Sequence, residues 1–252
     1  MPTLGTARAH FDSDIARAEA LRAHALTLPA GTLKDDVLRS SWMFGVGASD
    51  AYFSDAYADL IARALRAKDL QPAIALPERL GNLRVPVVAV IRSNNSWRWR
   101  MAARELIEDE NVLSIEKIKQ LFNHFFDNNT KIISKPTIES WLRHTRAKKR
   151  MFGRSRAEYD ALTAQQKDGA KKDAVDAFIA RMTTIFQRRH DCIHNCDRPK
   201  VAPQRITPSE TQKALYDIKF LVERSHDALV AEFPQYLSRA GFSAVVRNQV
   251  TQ

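Results

Sequence analysis

The sequence predicts an all-α fold: a four-helix bundle with a helical insertion between its second and third long helices. Three observations point there. Apolar residues recur at helical spacing over long stretches, residues suited to capping stand where those stretches begin, and strand-like alternation is scarce.

In chain order, Asp12 or Asp14 is placed to cap a first helix that runs to about Leu28, where Leu28-Pro29-Ala30-Gly31 breaks it. A long second helix is expected from about Leu33 to Lys68. Its apolar residues Leu38, Trp42, Val46, Phe53, Tyr57, Leu60, Ile61 and Leu65 trace one buried stripe. Gly45, Gly47, Ala48, Ser49 and Ala51 lie mid-helix and read as a seam for close helix approach; no strand precedes them, as a phosphate loop would require. From Gln71 to about Gln166, Pro72, Pro77 and Pro86 punctuate a loop, and shorter helices are expected near 87–108, 114–127 and 135–150, the last entered through Ser134 and Pro136. A third bundle helix spans about Lys171 to His194 with an apolar face of Val175, Phe178, Ile179, Met182, Ile185 and Phe186. After a loop at 197–206, Thr207-Pro208-Ser209-Glu210 has the form of a capping box, and Pro234 is expected to end the last long helix. The expected organisation is a discontinuous bundle at 1–70 and 167–235, a basic insertion at 71–166 and a C-terminal tail at 236–252.

Bulk composition narrows the class. The 252 residues are 44% hydrophobic and 27% charged, an ordinary globular balance. No run of about 18 uncharged apolar residues suggests a membrane span, and Met1 to His10 lacks the pattern of a signal peptide. Cys192 and Cys196 are the only cysteines, so no disulfide framework is expected and a reducing, cytoplasmic location fits best.

The formal net charge is +10, which draws polyanions. The charge is unevenly spread. Arg143, Arg146, Lys148, Lys149, Arg150, Arg154 and Arg156 occur with no acid among them up to Arg156. Arg92, Arg98, Arg100 and Arg104 interleave with Trp97 and Trp99. Basic residues alternating with aromatics suit phosphate contact with base stacking, so both runs are candidate RNA-guiding surfaces. A solvated helix face with its tryptophans turned to the core is the plainer reading.

Chemistry concentrates in Arg189-His190-Asp191-Cys192-Ile193-His194. On a helical wheel Arg189 lies within the stripe that runs from Met182, Ile185 and Phe186 to Ile193. A guanidinium there needs a carboxylate, a polar cavity or an anion-binding partner, because burying it unpaired costs several kcal/mol. Asp50 and Asp55 on the second helix are the candidate internal partners. His190 and His194, four apart, share a face. With Cys192 and Cys196 they could form half a zinc site, but no second Cys/His cluster completes four ligands, and no metal is expected.

Arg-x4-His near the end of the third helix of a four-helix bundle resembles the signature of the HEPN superfamily. The wider string from Arg188 through Arg189, His190, His194, Asn195 and Asp197 to Pro199 is similar to the RiboL-PSP branch, as are Leu38-Arg39-Ser40 with Ala48-Ser49-Asp50-Ala51-Tyr52 on the second helix and the start of the last helix at Ile206-Thr207-Pro208. The resemblance covers about 12–70 and 168–232; Cys192 departs from it where a larger aliphatic residue is commoner. It implies metal-independent RNA cleavage by a dimer without cofactor, as in ribonucleases of toxin or antiviral-defence type. Arg189 and His194 would be catalytic, with His190, Asp191 and Asn195 in support. An imidazole that titrates near neutrality can take the 2′-hydroxyl proton or protonate the leaving 5′-oxygen, and arginine can stabilise charge on the phosphate. Products would be 2′,3′-cyclic phosphate and 5′-hydroxyl ends.

Five helical residues turn about 140° and rise about 7.5 Å. Arg189 and His194 meet on one phosphate only if the helix loosens near Ile193 or if two chains share a site, which points to a composite site at a homodimer interface. Such an enzyme would need restraint, from an antitoxin, a sensor partner or an inactive resting dimer. The competing classes are a non-catalytic HEPN-like adaptor or regulator, a duplex-DNA-binding regulator using the basic middle region, and a metal hydrolase.

Overall fold

The computed structural model describes residues 3–76, 97–108, 112–198 and 202–251, and among these there are helices and loops but no strand. Helix α1 spans Leu4–Thr27, α2 Thr32–Leu70, α3 Trp97–Glu108 and α4 Ile115–Phe122, which passes into a tighter turn at Asn123–Phe125. Then follow α5 Lys135–Arg143, α6 Lys149–Phe152, α7 Arg156–Asp160, α8 Ala164–Asn195, α9 Pro208–Arg239 and α10 Ala244–Thr251. No helix among the described residues is long and apolar enough to cross a membrane.

Two long helices begin earlier than the apolar pattern indicates. Thr3 caps α1 by accepting from the Thr6 amide, and Leu4, Ala7 and Phe11 start its buried face. Asp12 and Asp14 are not caps; they pair with Arg8 at 2.9 Å and Arg17 at 3.1 Å within the helix. Thr163 and Gln166 form a capping box ahead of α8, whose exposed first turns give periodicity nothing to report. Thr207 caps α9 as expected. Pro234, by contrast, lies inside α9. One lost N–H is outweighed there because Phe233, Tyr236 and Leu237 are buried on either side of it. The expected tail at 236–252 is likewise structured where it is described, since residues 236–251 complete α9 and form α10, whose Val246 and Val250 are buried.

Helices α1, α2 and α9 pack against one another, while α8 lies across α2 and rests on α5 and α6, with only light contact to α9. The middle third shares the same core. Phe152 stacks on Phe178 of α8 with ring centres 5.4 Å apart, Trp141 meets Phe178 edge-on at 5.5 Å, and Phe125 meets Tyr236 of α9 at 5.1 Å. The expected helix at 135–150 is two helices, α5 and α6.

The small-residue seam is selective. A Cβ on Gly45 would collide with Leu215 of α9 and lie 3.5 Å from Ile15 of α1, so α1, α2 and α9 converge there. A Cβ on Gly47 would meet nothing within 4 Å. Gly47→Ala is therefore expected to stabilise the protein by about 0.5–1 kcal/mol, whereas Gly45→Ala should lose stability by about 1–3 kcal/mol through overpacking. Urea unfolding of the pair checks this, and equal effects at both positions would contradict the seam.

Candidate functional site

Helix α8 carries the Arg189–His194 segment and stays helical through Asn195. Its buried stripe ends at Phe186, for Arg189 is half-buried and Ile193 is 48% exposed. Thus the segment leaves the core along the surface of α2. The indole of Trp42 on α2 donates to the Ile185 carbonyl at 3.0 Å, which fixes the two helices just before the segment.

Arg189 lies between two surface grooves. One, of about 400 Å³, is mostly apolar, with Met43, Phe44, Gly47 and Ala48 of α2 facing Arg189 and Ile193. The other, of about 230 Å³, is lined by Leu113, Ser114, Thr183, Phe186, Gln187, Arg189 and His190. Of the two expected acid partners, Asp55 is 3.9 Å from Arg104. Burial holds the Asp50 carboxyl above its ordinary range, opposed by a 3.2 Å bond from the Val112 amide and by the charge of Arg189. Arg189 itself has no ion pair within 4.0 Å among the described residues.

His190 and His194 are exposed, with ring centres 4.3 Å apart. Because the helix is unbroken, the rotation of about 140° between Arg189 and His194 persists, and one chain does not bring the two onto a common point. Asp191 belongs to a third face, where it accepts from Gln187 at 2.9 Å and Gln204 at 3.5 Å. Asn195 is exposed, and its carbonyl accepts from the Arg198 amide.

Asp197 has a role that sequence reasoning missed. Cys196 and Asp197 take the left-handed conformation at φ 49° and 58°, which ends α8 abruptly. Such backbone costs about 1–2 kcal/mol per non-glycine residue and requires an anchor. The anchor is the fully buried Asp197 carboxylate, which accepts from Arg39 Nε at 2.7 Å and Arg188 Nη2 at 3.0 Å. Arg188 also lies over the Trp42 ring at 5.1 Å. The arginine beside Arg189 in the motif is therefore a structural clasp.

Of the candidate RNA-guiding residues, Arg92 and the side chains of Trp97 and Arg98 lie outside the described residues. Trp99 packs against the core, and Arg100 bonds the buried Asp59 at 3.0 Å. Most of the acid-free run is ion-paired with acids from elsewhere in the chain. Arg143 meets Glu139 and Asp160, Arg146 meets Glu223, Lys149 meets Glu158, and Arg150 grips Asp217 at 2.6 and 3.1 Å. Lys148 sits over the Tyr216 ring at 5.4 Å.

Among the described residues no group of three or more His, Cys, Asp or Glu side chains is arranged to hold a metal ion. Burial, with the Asp197 charge adding to it, pushes the Cys192 thiol up to about 11, whereas Cys196 is exposed. Comparison of the chain with models of protein families, with curated proteins and with solved structures finds no match.

Removing the Asp197 carboxylate strands two arginines and releases strained backbone. Asp197→Ala is expected to cost about 3–5 kcal/mol in denaturant unfolding; a loss below about 1 kcal/mol would mean that the clasp does not hold the end of α8. Near neutral pH a maleimide should modify Cys196 first and Cys192 far more slowly, because the thiolate is the reacting form. Mass mapping of the two sites reads the order directly.

Proposed function

We propose that this protein is a metal-independent endoribonuclease whose active site forms between two copies of the chain, a HEPN-like enzyme of toxin or defence type. The observation that carries the reading is the placement of Arg189. A guanidinium without an ion pair among the described residues sits half-buried at the edge of an apolar groove, on the helix that exposes His194. An arginine kept so is suited to meet an anion supplied from outside the chain.

The unbroken helix favours the composite arrangement over a site within one chain. A second copy packed by two-fold symmetry on Ile193, Met43 and Phe44 would cover an exposed apolar groove and draw the two α8 helices together. Arg189 of one copy would then face His194 of the other. In the reaction the 2′-hydroxyl loses its proton to a base and its oxygen attacks the adjacent phosphorus, while the P–O5′ bond breaks and the 5′-oxygen is protonated as it leaves. His194 serves one of the two proton transfers and Arg189 stabilises the phosphate oxygens in the transition state. His190, whose ring leans on that of His194 with centres 4.3 Å apart and planes at 42°, orients it.

The test is incubation of purified protein with total RNA in the presence of a chelator, followed by end-group analysis. Wild type should yield cyclic-phosphate ends, and Arg189→Ala and His194→Ala should each lower the rate by about 100-fold or more. Mixing the two inactive variants should then restore part of the activity, because a mixed dimer retains one intact Arg–His pair. Failure to complement would place both residues in one chain's site; cleavage by neither wild type nor mixture would leave a binding protein. Ile193→Asp should shift the protein to a monomer in sedimentation.

A further inference from the structure

We propose that the groove between α6, α8 and α9 is a phosphate-binding channel that leads the backbone of single-stranded RNA to the histidine face of α8. The ribonuclease reading supplies the identity of the polyanion; the geometry of the groove supplies the site. The groove holds about 500 Å³, and its cations are Arg150, Arg181, Arg188 and Lys213.

Arg150 and Arg181 are held by a single carboxylate, Asp217, which has no solvent exposure. Arg150 donates to it through Nη2 at 2.6 Å and Nε at 3.1 Å, and Arg181 through Nε at 2.9 Å. Two guanidiniums sharing one acid leave a net positive charge, already oriented. Arg150 Nη1 and both Nη atoms of Arg181 donate to no described residue. Arg188 repeats the arrangement, sharing buried Asp197 with Arg39. Lys213 is exposed and has no ion pair among the described residues.

The two acids on the groove wall are engaged by neutral donors: Glu210 accepts from the Thr207 hydroxyl at 2.8 Å and Asp191 from Gln187 at 2.9 Å. They are thus turned to α9's cap and to α8 rather than to the arginines. Pre-oriented guanidinium forks with unused donors suit phosphate oxygens, since bidentate recognition loses little side-chain freedom.

The groove also leads to the candidate site. Thr183 and Gln187 line both this groove and the smaller one that contains Arg189 and His190. A chain of phosphates lying on Lys213, Arg150 and Arg181 therefore continues across Gln187 to Arg189. A series of cations brought together from α6, α8 and α9 suits the backbone of one nucleic-acid strand. Of the basic residues read from the sequence as RNA-guiding, only Arg150 belongs to it; Arg188 is named there as part of the motif string, and Arg181 and Lys213 are new.

Fluorescence anisotropy with a labelled single-stranded oligoribonucleotide, 2′-O-methylated throughout, tests binding without cleavage. Lys213→Glu should weaken binding by about tenfold and reduce the salt slope by roughly 0.7 per lost phosphate contact, while Lys172→Glu, with the same charge change on an exposed part of α8 away from the groove, should alter affinity by less than about twofold. Arg181→Gln should weaken binding too, with Arg150 still on Asp217. No binding by wild type, an unchanged Lys213→Glu variant, or an equal loss in Lys172→Glu overturns the channel. Duplex DNA bound as tightly, with the same loss in Lys213→Glu, overturns the single-strand assignment. RNA cleavage is scored separately. Groove-dependent binding without cleavage keeps the channel and removes the nuclease reading; cleavage indifferent to Lys213→Glu does the reverse.

Discussion

A carboxylate shut away from water stays ionised only if cations close on it, and four such carboxylates organise the described residues. Asp59, Asp197, Asp217 and Glu223 are buried, and each is gripped by two arginines: Arg63 with Arg100, Arg39 with Arg188, Arg150 with Arg181, and Arg8 with Arg146. The Asp59 group reaches further, accepting from the Leu4 amide at 3.0 Å while Arg63 donates to the Val250 carbonyl at 2.9 Å. It thereby joins α1, α2, α3 and α10. Asp217 joins α6, α8 and α9, and Asp197 joins α2, α8 and the loop that leads to α9. Buried ion pairs add little net stability, but breaking one is costly, so they fix which helices meet.

The candidate site inherits its geometry from these clasps. Helix α8 is held by Arg181 near its middle and by Arg188 and Asp197 at its end, with the Trp42 indole between. Being held on that side, it presents Arg189 and the two histidines on others. Three faces of one helix thus separate into structural clasp, apolar groove edge and imidazole surface. The motif's neighbouring arginines, Arg188 and Arg189, look alike in sequence yet differ because Arg188 closes on the buried Asp197 at 3.0 Å, whereas Arg189 acts on Asp50 only through its charge.

Long elements were legible because burial repeats along a helix. The stripe of α2 and the cap at Thr207 are local signals and were read correctly, as was the close approach at Gly45. Local signals are silent elsewhere: the first turns of α8 are exposed, and Pro234 is overruled by the buried neighbours on either side of it. The basic run misled for another reason. Arg150 finds its acid 67 residues away, and no count of charges along a window reports that. Arg181 and Lys213 went unmarked because each is an isolated basic residue until α8 and α9 come together. The string Arg189–His194 is a local signal, and the unbroken helix beneath it keeps the two side chains about 140° apart.

The Asp197 clasp also bears on the order of assembly. Arg39 and Asp197 are 158 residues apart, so in a chain made N-terminus first Arg39 has only its local partner Asp36 until Asp197 has been added. The contact closes a long loop and cannot form earlier, whatever its strength. The end of α8, with its histidines, is therefore anchored late. A chain lacking Asp197 would have the helix sequence without the anchored end, so the face that carries the histidines takes its place only once this loop has closed.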